Sequence, residues 1–334
     1  MLINDFDTDK RVFVIAEIGN NHEGSFALAR EMIARAAEAG VDAVKFQTFV
    51  PENYVTSQDH VRLQRLREFR LEPQQLEELS QQATEYGLIF FSTPFDIDSA
   101  HFLNHFQPLF KISSGDNNFF PLIETVASFD KPTIISTGLA DLDLLDLLYS
   151  FWNSKSDKLK LAFLHCVASY PVPLEQANLG AIATLRERYP DITIGYSDHT
   201  IGIDAAIYAV AVGARIVEKH FTIDKNYSNF RDHQLSADPT DMKTLVEKIR
   251  QLEVLLGTGE KKSQRCEDDL RVAVRRSIAV GRTITAGSTL SLDDLTWVRP
   301  GGGFAPGDEK SVVGRVLNCT VKQGEIIYPE MLSN

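Results

Sequence analysis

The residues most suited to chemistry in this sequence are two histidines, His199 and His220, each at the end of a short apolar and β-branched run. If those runs are neighbouring parallel strands, both imidazoles lie at one edge and can hold a divalent cation with positions left open for substrate. The alternative is a pair of hydrogen-bonded histidines that line the same opening. We interpret His165, beside Cys166, as a hydrogen-bond partner rather than a ligand.

Two lysines, Lys45 and Lys111, also fall near the ends of predicted strands. A buried ammonium group is costly unless an anionic ligand or a carboxylate compensates its charge. Serines at comparable positions would join the lysines in a set suited to phosphate and carboxylate groups: Ser114, Ser136 and Ser197. The alternatives are internal salt bridges to Glu17 and Glu218, or a lysine that forms a Schiff base with a substrate.

Glu17 at the end of the first predicted strand is the candidate for proton transfer. A carboxyl group in a partly dry opening can have its pKa moved toward neutrality, which suits a general acid or base. The segment from Asp224 to Leu235 follows the last predicted strand and contains Asn, Asp, Arg and His residues. Its composition predicts a long loop that either closes over a substrate or is an ordinary solvated connection.

Eight runs typical of buried strands, each followed by a helix-like segment, provide the scaffold for these residues. The predicted strands are Phe13 to Gly19, Ala43 to Phe49, Leu88 to Phe95, Leu109 to Gly115, Pro132 to Gly138, Leu161 to Ser169, Ile192 to His199 and Arg215 to Ile223. The clearest predicted helices are Phe26 to Ala39, Pro73 to Tyr86, Leu174 to Arg188 and Thr240 to Leu256. Eight such units predict an α/β fold, a (β/α)8 TIM barrel with its active site at the carboxyl ends of the strands.

The chain beyond the barrel has a different composition. We predict a barrel domain over residues 1–258, a polar linker over 259–274 and a small β-rich domain over 275–334. Two segments that begin at Thr285 and Lys322 share a glycine turn, an apolar pair and an acidic residue. This internal echo predicts a compact module with pseudo-twofold symmetry.

Bulk composition excludes several classes of protein. A formal net charge of −12 without a concentrated basic patch argues against a nucleic-acid partner. The start of the chain is polar, and its apolar stretches are too short to span a bilayer, so we expect no membrane partner and a cytoplasmic location. Cys166, Cys266 and Cys319 stand far apart, which argues against a disulfide framework or a thiolate zinc site.

Short motifs follow one another at the predicted strand ends. They are Ala-Glu-Ile-Gly-Asn-Asn-His-Glu-Gly (16–24), Val-Lys-Phe-Gln-Thr (44–48), Ser-Thr-Pro-Phe (92–95), Lys-Ile-Ser-Ser-Gly-Asp (111–116), Ser-Thr-Gly (136–138), His-Cys (165–166), Ser-Asp-His-Thr (197–200) and Glu-Lys-His-Phe-Thr (218–222). The ordered set resembles the sialic acid synthase (N-acetylneuraminate synthase) family. The tail, with Val-Arg-Pro-Gly-Gly-Gly (298–303), resembles the antifreeze-like (SAF) domain, of β-clip fold, that ends these synthases.

The resemblance implies a transferase that condenses phosphoenolpyruvate with the open-chain aldehyde of an N-acylated mannosamine-type aldose, while water attacks C2 and phosphate leaves. It implies that His199 and His220 hold a divalent metal, Mn²⁺ or alternatively Mg²⁺ or Co²⁺, which polarises the aldehyde oxygen. Glu17 would transfer protons. The residues implied to hold phosphoenolpyruvate are Lys45, Thr93, Lys111, Ser114, Ser136 and Ser197, and those implied to face the sugar are Gln47, Tyr170 and Asp232.

The resemblance also implies a domain-swapped homodimer. The small domain of one subunit would cover the barrel of the other and bring Arg299 to the acyl group of the sugar. A covered site is drier, which strengthens its electrostatic interactions and protects reactive intermediates from water.

Several positions depart from the family pattern near the substrates. Ala168 stands where an asparagine is expected near phosphoenolpyruvate, and the segment 50–71 lacks an asparagine expected to touch the sugar. Arg231 and His233 flank Asp232 as additional charged or titratable groups. The alternative product is therefore a modified acid of the legionaminic or pseudaminic kind. A Schiff-base aldolase, or a non-catalytic sugar-binding protein on the same barrel, is the alternative class of function.

Overall fold

The computed structural model describes residues 1–155 and 160–333. Residues 156–159 of the predicted barrel and Asn334 at the end of the predicted small domain lie outside the described residues. The chain divides into two compact units, Met1–Gly257 and Thr258–Asn334.

The first unit is a near-closed barrel of eight parallel strands, preceded by an antiparallel hairpin of β1 (Leu2–Ile3) and β2 (Phe6–Asp7). The barrel strands are β3 (Phe13–Gly19), β4 (Ala43–Thr48), β5 (Ile89–Pro94), β6 (Phe110–Ile112), β7 (Thr133–Ser136), β8 (Leu161–Cys166), β9 (Thr193–Asp198) and β10 (Ile216–His220). Their order is β5-β4-β3-β10-β9-β8-β7-β6, and β5 meets β6 across the remaining seam. This is the TIM-barrel architecture that the sequence predicts.

Helices connect the strands and cover the outside of the barrel. They are α1 (Phe26–Ala39), α2 (Pro51–Tyr54), α3 (His60–Phe69), α4 (Pro73–Glu85), α5 (Ile97–Leu103), α6 (Phe120–Ser128), α7 (Leu142–Asn153), α8 (Gly180–Arg188), α9 (Asp204–Val212), α10 (Asp232–Leu235) and α11 (Pro239–Leu256). Helix α1 illustrates how the sequence sets these bounds. Ser25 accepts a hydrogen bond from the Leu28 amide at its start, and Gly40 ends it at φ 82°.

Side chains alternate along each strand between the barrel interior and the surrounding helices. The interior begins at the amino ends of the strands with an apolar cluster: Ile3, Phe13, Ile15, Ala43, Phe91, Leu109, Ile134, Ala162, Leu164 and Ile216. Ile3 belongs to the hairpin, which therefore closes this end of the barrel. The next inward position along most strands is polar, so the barrel carries a polar layer above an apolar floor.

Gly195 lies on the inner face of β9, where the barrel has no room for a larger residue. A Cβ atom there would lie 2.5 Å from both the Ile216 carbonyl oxygen and Leu164 Cδ2. Because a backbone atom cannot easily move away, we expect Gly195→Ala to lower the free energy of unfolding by about 3 kcal/mol. Thermal and urea unfolding measure the change. Gly180→Ala is the matched control, since its Cβ would meet nothing within 4 Å, and equal stability of the two variants would contradict the prediction.

The structure corrects several predicted boundaries. The first strand and the first helix match their predictions, but most strands end earlier than predicted. The strand predicted from Leu109 to Gly115 is only β6, because Ser114–Asp116 form a 3-10 turn. The chain leaves extended geometry there, and the serine hydroxyl turns into the opening.

Two further predictions were wrong in part. The helix predicted from Leu174 to Arg188 is a 3-10 turn, Leu174–Gln176, followed by α8, because Asn178 adopts φ 46° and interrupts helical geometry. The loop predicted from Asp224 to Leu235 ends in the short helix α10.

In the described part of the chain, no helix combines the length and apolar character needed to cross a bilayer.

The second unit is small and β-rich around its own apolar core. It contains α12 (Leu270–Val274) within the predicted linker, and β11 (Ser277–Val280) pairs antiparallel with β12 (Leu295–Val298). The two echoing segments adopt the same local structure. Each has a β-bridge, a turn with a glycine near φ 81°, a second bridge and a 3-10 turn, and Ile284 bridges Val321 between them.

Candidate active site

A cavity of about 940 Å³ opens at the carboxyl ends of the barrel strands. Every predicted site residue of the first unit lines it: Glu17, Lys45, Gln47, Thr93, Lys111, Ser114, Ser136, Tyr170, Ser197, His199, His220 and Asp232. Its volume is at the upper end of the range for small-molecule sites, so it has room for more than one small substrate. The barrel therefore gathers into one place residues that the sequence places on seven predicted strands and in two of the segments that follow them.

The two lysines are compensated by two carboxylates at the centre of this cavity. Lys45 Nζ lies 3.0 Å from Glu17 Oε2 and 3.6 Å from Glu218 Oε1, and Lys111 Nζ lies 3.4 Å from Glu218 Oε1. All four side chains are almost fully buried. The salt-bridge alternative considered from the sequence is thus present, and it leaves a charge-balanced cluster beside polar hydroxyls such as that of Thr93, which accepts from Lys45 at 3.1 Å.

The cluster pushes the pKa values of its two carboxyl groups in opposite directions. Burial raises the pKa of Glu17, and the charge of Lys45 only partly offsets it. Burial also raises the pKa of Glu218, but Lys111 and Lys45 together outweigh it and the pKa is lowered. Two neighbouring carboxyl groups with separated pKa values can serve different functions, one as a proton carrier and one as a permanent anion.

Glu17 is further fixed by an amide network. Gln47 Nε2 donates to Glu17 Oε1 at 3.0 Å, and Asn20 Nδ2 donates to Gln47 Oε1 at 2.7 Å. Gln47 thus holds the carboxyl group in one orientation at the cavity wall. Close by, Glu218 Oε2 and Ser136 Oγ are buried without a hydrogen-bond partner. Such unsatisfied buried atoms are uncommon and fit a polar ligand that would complete their bonding.

The two imidazoles of His199 and His220 are neighbours, with ring centroids 5.4 Å apart and ring planes tilted by 56°. His199 Nδ1 lies 3.0 Å from the Val167 carbonyl oxygen, so Nδ1 donates and Nε2 keeps its lone pair for a ligand. His220 Nδ1 is buried without a hydrogen-bond partner. Burial lowers the pKa of His220 well below its ordinary value, which favours the neutral ring that binds metals.

The donor set fits a divalent cation held by two protein ligands. Within residues 1–155 and 160–333, no group of three or more His, Cys, Asp or Glu side chains surrounds a shared centre. The remaining coordination positions would therefore belong to water or substrate oxygens, as in sites where a metal acts on a substrate. The Tyr170 ring packs on His199 at a centroid distance of 4.1 Å and shields one side of the pair.

Three titratable residues considered from the sequence lie elsewhere or face another way. His165 turns to the outside of the barrel, where Nε2 lies 2.9 Å from the Ala177 carbonyl oxygen. His233 is buried against Thr222 and Glu23 rather than presented to a sugar. Arg299 is in the second unit and is exposed, so its part in a partner's site stays a prediction.

The cavity also contains residues that the sequence did not indicate as site residues. Cys166 lines it because the inward positions of β8 run Ala162, Leu164, Cys166, a regularity that alternation alone could have revealed. The outer wall is formed by residues of α2, α3, the loops that follow β5 and β7, and the loop before α10: Tyr54, Arg62, Arg65, Leu66, Phe69, Phe95, Leu139, Ser228, Asn229, Phe230 and Arg231. Their approach depends on tertiary packing, for which the sequence carries no local signal.

Comparison with known families separates the two units of the chain. The NeuB family matches residues 32–261, and the SAF domain matches residues 275–333. The chain belongs to the NeuB family. Its match covers most of the barrel and the cavity residues from Lys45 onward, and the SAF match covers the unit with the internal echo.

Named relatives of this NeuB-family chain are acid synthases. An N,N'-diacetyllegionaminic acid synthase of Legionella pneumophila is 39% identical, with 95% of this chain and 94% of the relative aligned. An N-acetylneuraminate-9-phosphate synthase of Mus musculus is 33% identical, with 96% of this chain and 93% of the relative aligned. The crystal structure of an N-acetylneuraminic acid synthetase from Leptospira borgpetersenii, in complex with citrate, has a TM-score of 0.74 at 34% identity, covering 78% of this chain and 90% of that one. The chain is thus an enzyme of the nonulosonic acid synthase type.

Proposed function

We propose that this enzyme condenses phosphoenolpyruvate with the open-chain aldehyde of an N-acylated mannosamine-type aldose and water, and releases phosphate. The observation that carries the proposal is the buried cluster of two lysines and two carboxyl groups beside two neighbouring imidazoles in one cavity. Such a cluster supplies cations for an anionic substrate, a proton carrier and a metal-binding pair within reach of one another.

Phosphoenolpyruvate would occupy the centre of the cavity. Lys45 and Lys111 would hold its phosphate and carboxylate, with hydroxyl donors from Thr93, Ser114, Ser136 and Ser197 around them. Ser136 Oγ has no partner of its own, and Ser197 Oγ donates to Glu218 Oε1 at 3.1 Å. Because the ammonium groups are already fixed by carboxylates, the cradle is organised before the substrate binds, which reduces the reorganisation that binding requires.

Glu17 would move the protons of the reaction. In the first step, C3 of phosphoenolpyruvate forms a bond to the aldehyde carbon, and the aldehyde oxygen takes a proton from Glu17. Water then adds to C2 and loses a proton to the carboxylate. Cleavage of the bond between C2 and the phosphate oxygen releases phosphate, which takes the proton of the C2 hydroxyl group, and leaves a keto acid. A divalent ion at His199 and His220, Mn²⁺ or alternatively Mg²⁺ or Co²⁺, would polarise the aldehyde oxygen. The raised pKa of Glu17 suits both proton transfers.

The sugar would extend from the imidazoles toward the outer wall. Tyr170 packs on His199 and Asp232 lines the same cavity, so both would face the sugar. Gln47, which donates to Glu17, would contact it as well. The relatives' names include an N,N'-diacetyllegionaminic acid and an N-acetylneuraminate 9-phosphate as products. A legionaminic-like or pseudaminic-like product therefore remains the alternative to a sialic acid.

We further propose a homodimer in which the SAF unit of one subunit brings Arg299 to the barrel of its partner. The Arg299 side chain is exposed, and it directly precedes Pro300 and three consecutive glycines. An exposed guanidinium group there is free to meet the acyl group of a sugar in another subunit. The cytosolic location stays a prediction from the sequence.

The proposal is tested by incubating the enzyme with phosphoenolpyruvate, Mn²⁺ and a panel of N-acyl aldoses. We expect phosphate release that depends on an aldose, together with a new acid whose mass equals aldose plus pyruvate. Glu17→Gln is expected to lower kcat by about 10³-fold, while Glu175→Gln, an exposed change outside the cavity, leaves it unchanged. Absence of both products with every aldose would reject the condensation.

The Schiff-base aldolase is the second candidate, favoured by one observation. Burial lowers the pKa of Lys111, and a lysine with a lowered pKa is a better nucleophile. Borohydride added during turnover would then reduce an imine and fix the substrate to Lys111 or Lys45. The condensation predicts no such adduct, so mass spectrometry of the treated protein separates the two reactions.

A further inference from the structure

The entrance of the cavity carries positive charge that has no internal counter-ion. Arg62 and Arg65 lie one turn apart on α3, and both line the cavity. Arg62 stands over the Tyr54 ring at 5.2 Å and donates to its hydroxyl group at 3.4 Å. Across the described ranges, neither arginine has a carboxylate within ion-pair distance, as the charged pairs of this region involve other residues. Both guanidinium groups are exposed to the entrance.

The inner part of the cavity has the opposite character. There Lys45 and Lys111 are balanced by Glu17 and Glu218. At the rim, Arg231 is likewise held by Asp232 at 3.2 Å. The unbalanced positive charge is therefore confined to α3, in a protein whose net charge is −12. Like charges one helical turn apart repel each other modestly, and an anion bound between them would remove that repulsion.

Helix α3 is held firmly enough for its arginines to form a site. The Asp59 side chain caps its first turn, and Leu66 is buried in the apolar cluster under the helix. A Cβ at Gly24 would lie 2.0 Å from the Glu68 carbonyl oxygen, so the last turn of α3 rests directly on the loop after β3. These contacts fix both ends of the helix, and the orientation of its inner face follows.

Aromatic residues of α3 and of the loop before α10 complete the outer part of the cavity. Phe69 at the end of α3 meets Phe230 edge to face with a centroid distance of 5.3 Å. This contact joins α3 to the loop before α10. A ligand that reaches the entrance would have apolar ring faces along its carbon chain and guanidinium donors at its end. Guanidinium groups bind phosphate through paired N–H donors, a geometry that an ammonium group cannot offer.

We propose that Arg62 and Arg65 bind a phosphomonoester at the end of the acceptor sugar remote from its aldehyde, and so select a phosphorylated aldose. This inference rests on the proposed function, because it takes the aldehyde to lie at the imidazoles. The sugar would then span the cavity, with its reacting end at His199 and His220 and its charged end at α3. The two anionic substrates would occupy two separate cationic sites in one cavity.

The test compares N-acetylmannosamine with N-acetylmannosamine 6-phosphate, using phosphoenolpyruvate and Mn²⁺ in both cases. We expect kcat/KM for the phosphorylated sugar to exceed that for the neutral sugar by at least about tenfold. The double variant Arg62→Gln with Arg65→Gln should lower kcat/KM for the phosphorylated sugar by about 100-fold. It should lower kcat/KM for the neutral sugar by a much smaller factor, and leave KM for phosphoenolpyruvate within about threefold of the parent value.

Arg67→Gln is the matched control. Arg67 lies on the same helix, but it pairs with Glu52 on the surface and does not line the cavity. The inference is overturned if the parent enzyme prefers the neutral sugar, or if the double variant lowers kcat/KM for both sugars alike. If neither sugar yields an acid, the proposed condensation fails for this pair, and calorimetry with the sugar phosphate decides the subsite alone. The subsite is supported if the sugar phosphate binds to the parent protein and to Arg67→Gln but not to the double variant. It is refuted if the sugar phosphate does not bind to the parent protein.

Discussion

Removal of divalent metal ions is expected to lower the rate of phosphate release by at least about 10³-fold, and Mn²⁺ is expected to restore it. The reason is the geometry of His199 and His220, whose ring centroids lie 5.4 Å apart while the Val167 carbonyl oxygen fixes the tautomer of His199. Without a cation, the aldehyde would have to be activated by proton donation alone. Enzyme stripped with a chelator and assayed with and without Mn²⁺ gives the ratio directly.

Direct binding of the metal provides a measurement that does not depend on turnover. Electron paramagnetic resonance of free Mn²⁺ reports the bound fraction, and His199→Ala or His220→Ala should each lower the affinity by at least about tenfold. His165→Gln is the control, since its ring bonds to the Ala177 carbonyl oxygen outside the barrel. Full activity in metal-free enzyme, or Mn²⁺ binding that survives both alanine variants, would remove the metal from the mechanism.

Much of the fold could be predicted because buried parallel strands have an unambiguous local pattern. Each strand is covered on both faces, so it reads as a continuous apolar run, and polar residues at its end fall naturally at the mouth of the barrel. Glu17, Lys45 and His220 could therefore be identified from position within a strand alone. Their exact partners could not, since a pair such as Lys111 with Glu218 joins strands that are far apart in the sequence.

The parts that sequence reasoning missed depend on packing between distant segments. Helix α3 reads as a polar, charged segment, and nothing in its spacing shows that Arg62 and Arg65 face a cavity while Arg67 faces Glu52. Its position follows from the close approach of Gly24 to the last turn of the helix. Likewise, the sequence leaves three ways to account for the buried lysines, and salt bridges to glutamates are only one of them. The structure shows these salt bridges, whereas the anionic ligand and the Schiff base stay proposals.

A second buried ion pair, on the opposite faces of the strands that carry the histidines, supports the next prediction. Lys219 Nζ lies 2.9 Å from Asp198 Oδ2 and donates to the Thr200 carbonyl oxygen at 2.6 Å. Asp198 Oδ1 in turn accepts from the Thr200 amide at 2.9 Å. Both charged side chains are fully buried, and each directly precedes a histidine of the candidate metal pair. The ion pair therefore fixes β9 relative to β10 where the imidazoles must meet.

Lys219→Met is expected to lower the free energy of unfolding of the barrel by about 4 kcal/mol, because it leaves the Asp198 carboxylate buried without its counter-ion. Adding Asp198→Asn should recover most of this loss, since the charge is removed and the amide oxygen can still accept from the Thr200 amide. Lys225→Met is the matched control: Lys225 pairs with Asp238 and Asp241 but is 38% exposed, so we expect a change below about 1 kcal/mol. Thermal unfolding of the four proteins measures these differences. If Lys219→Met is no more harmful than Lys225→Met, the buried pair does not hold these strands together, and the alignment of His199 with His220 must have another origin.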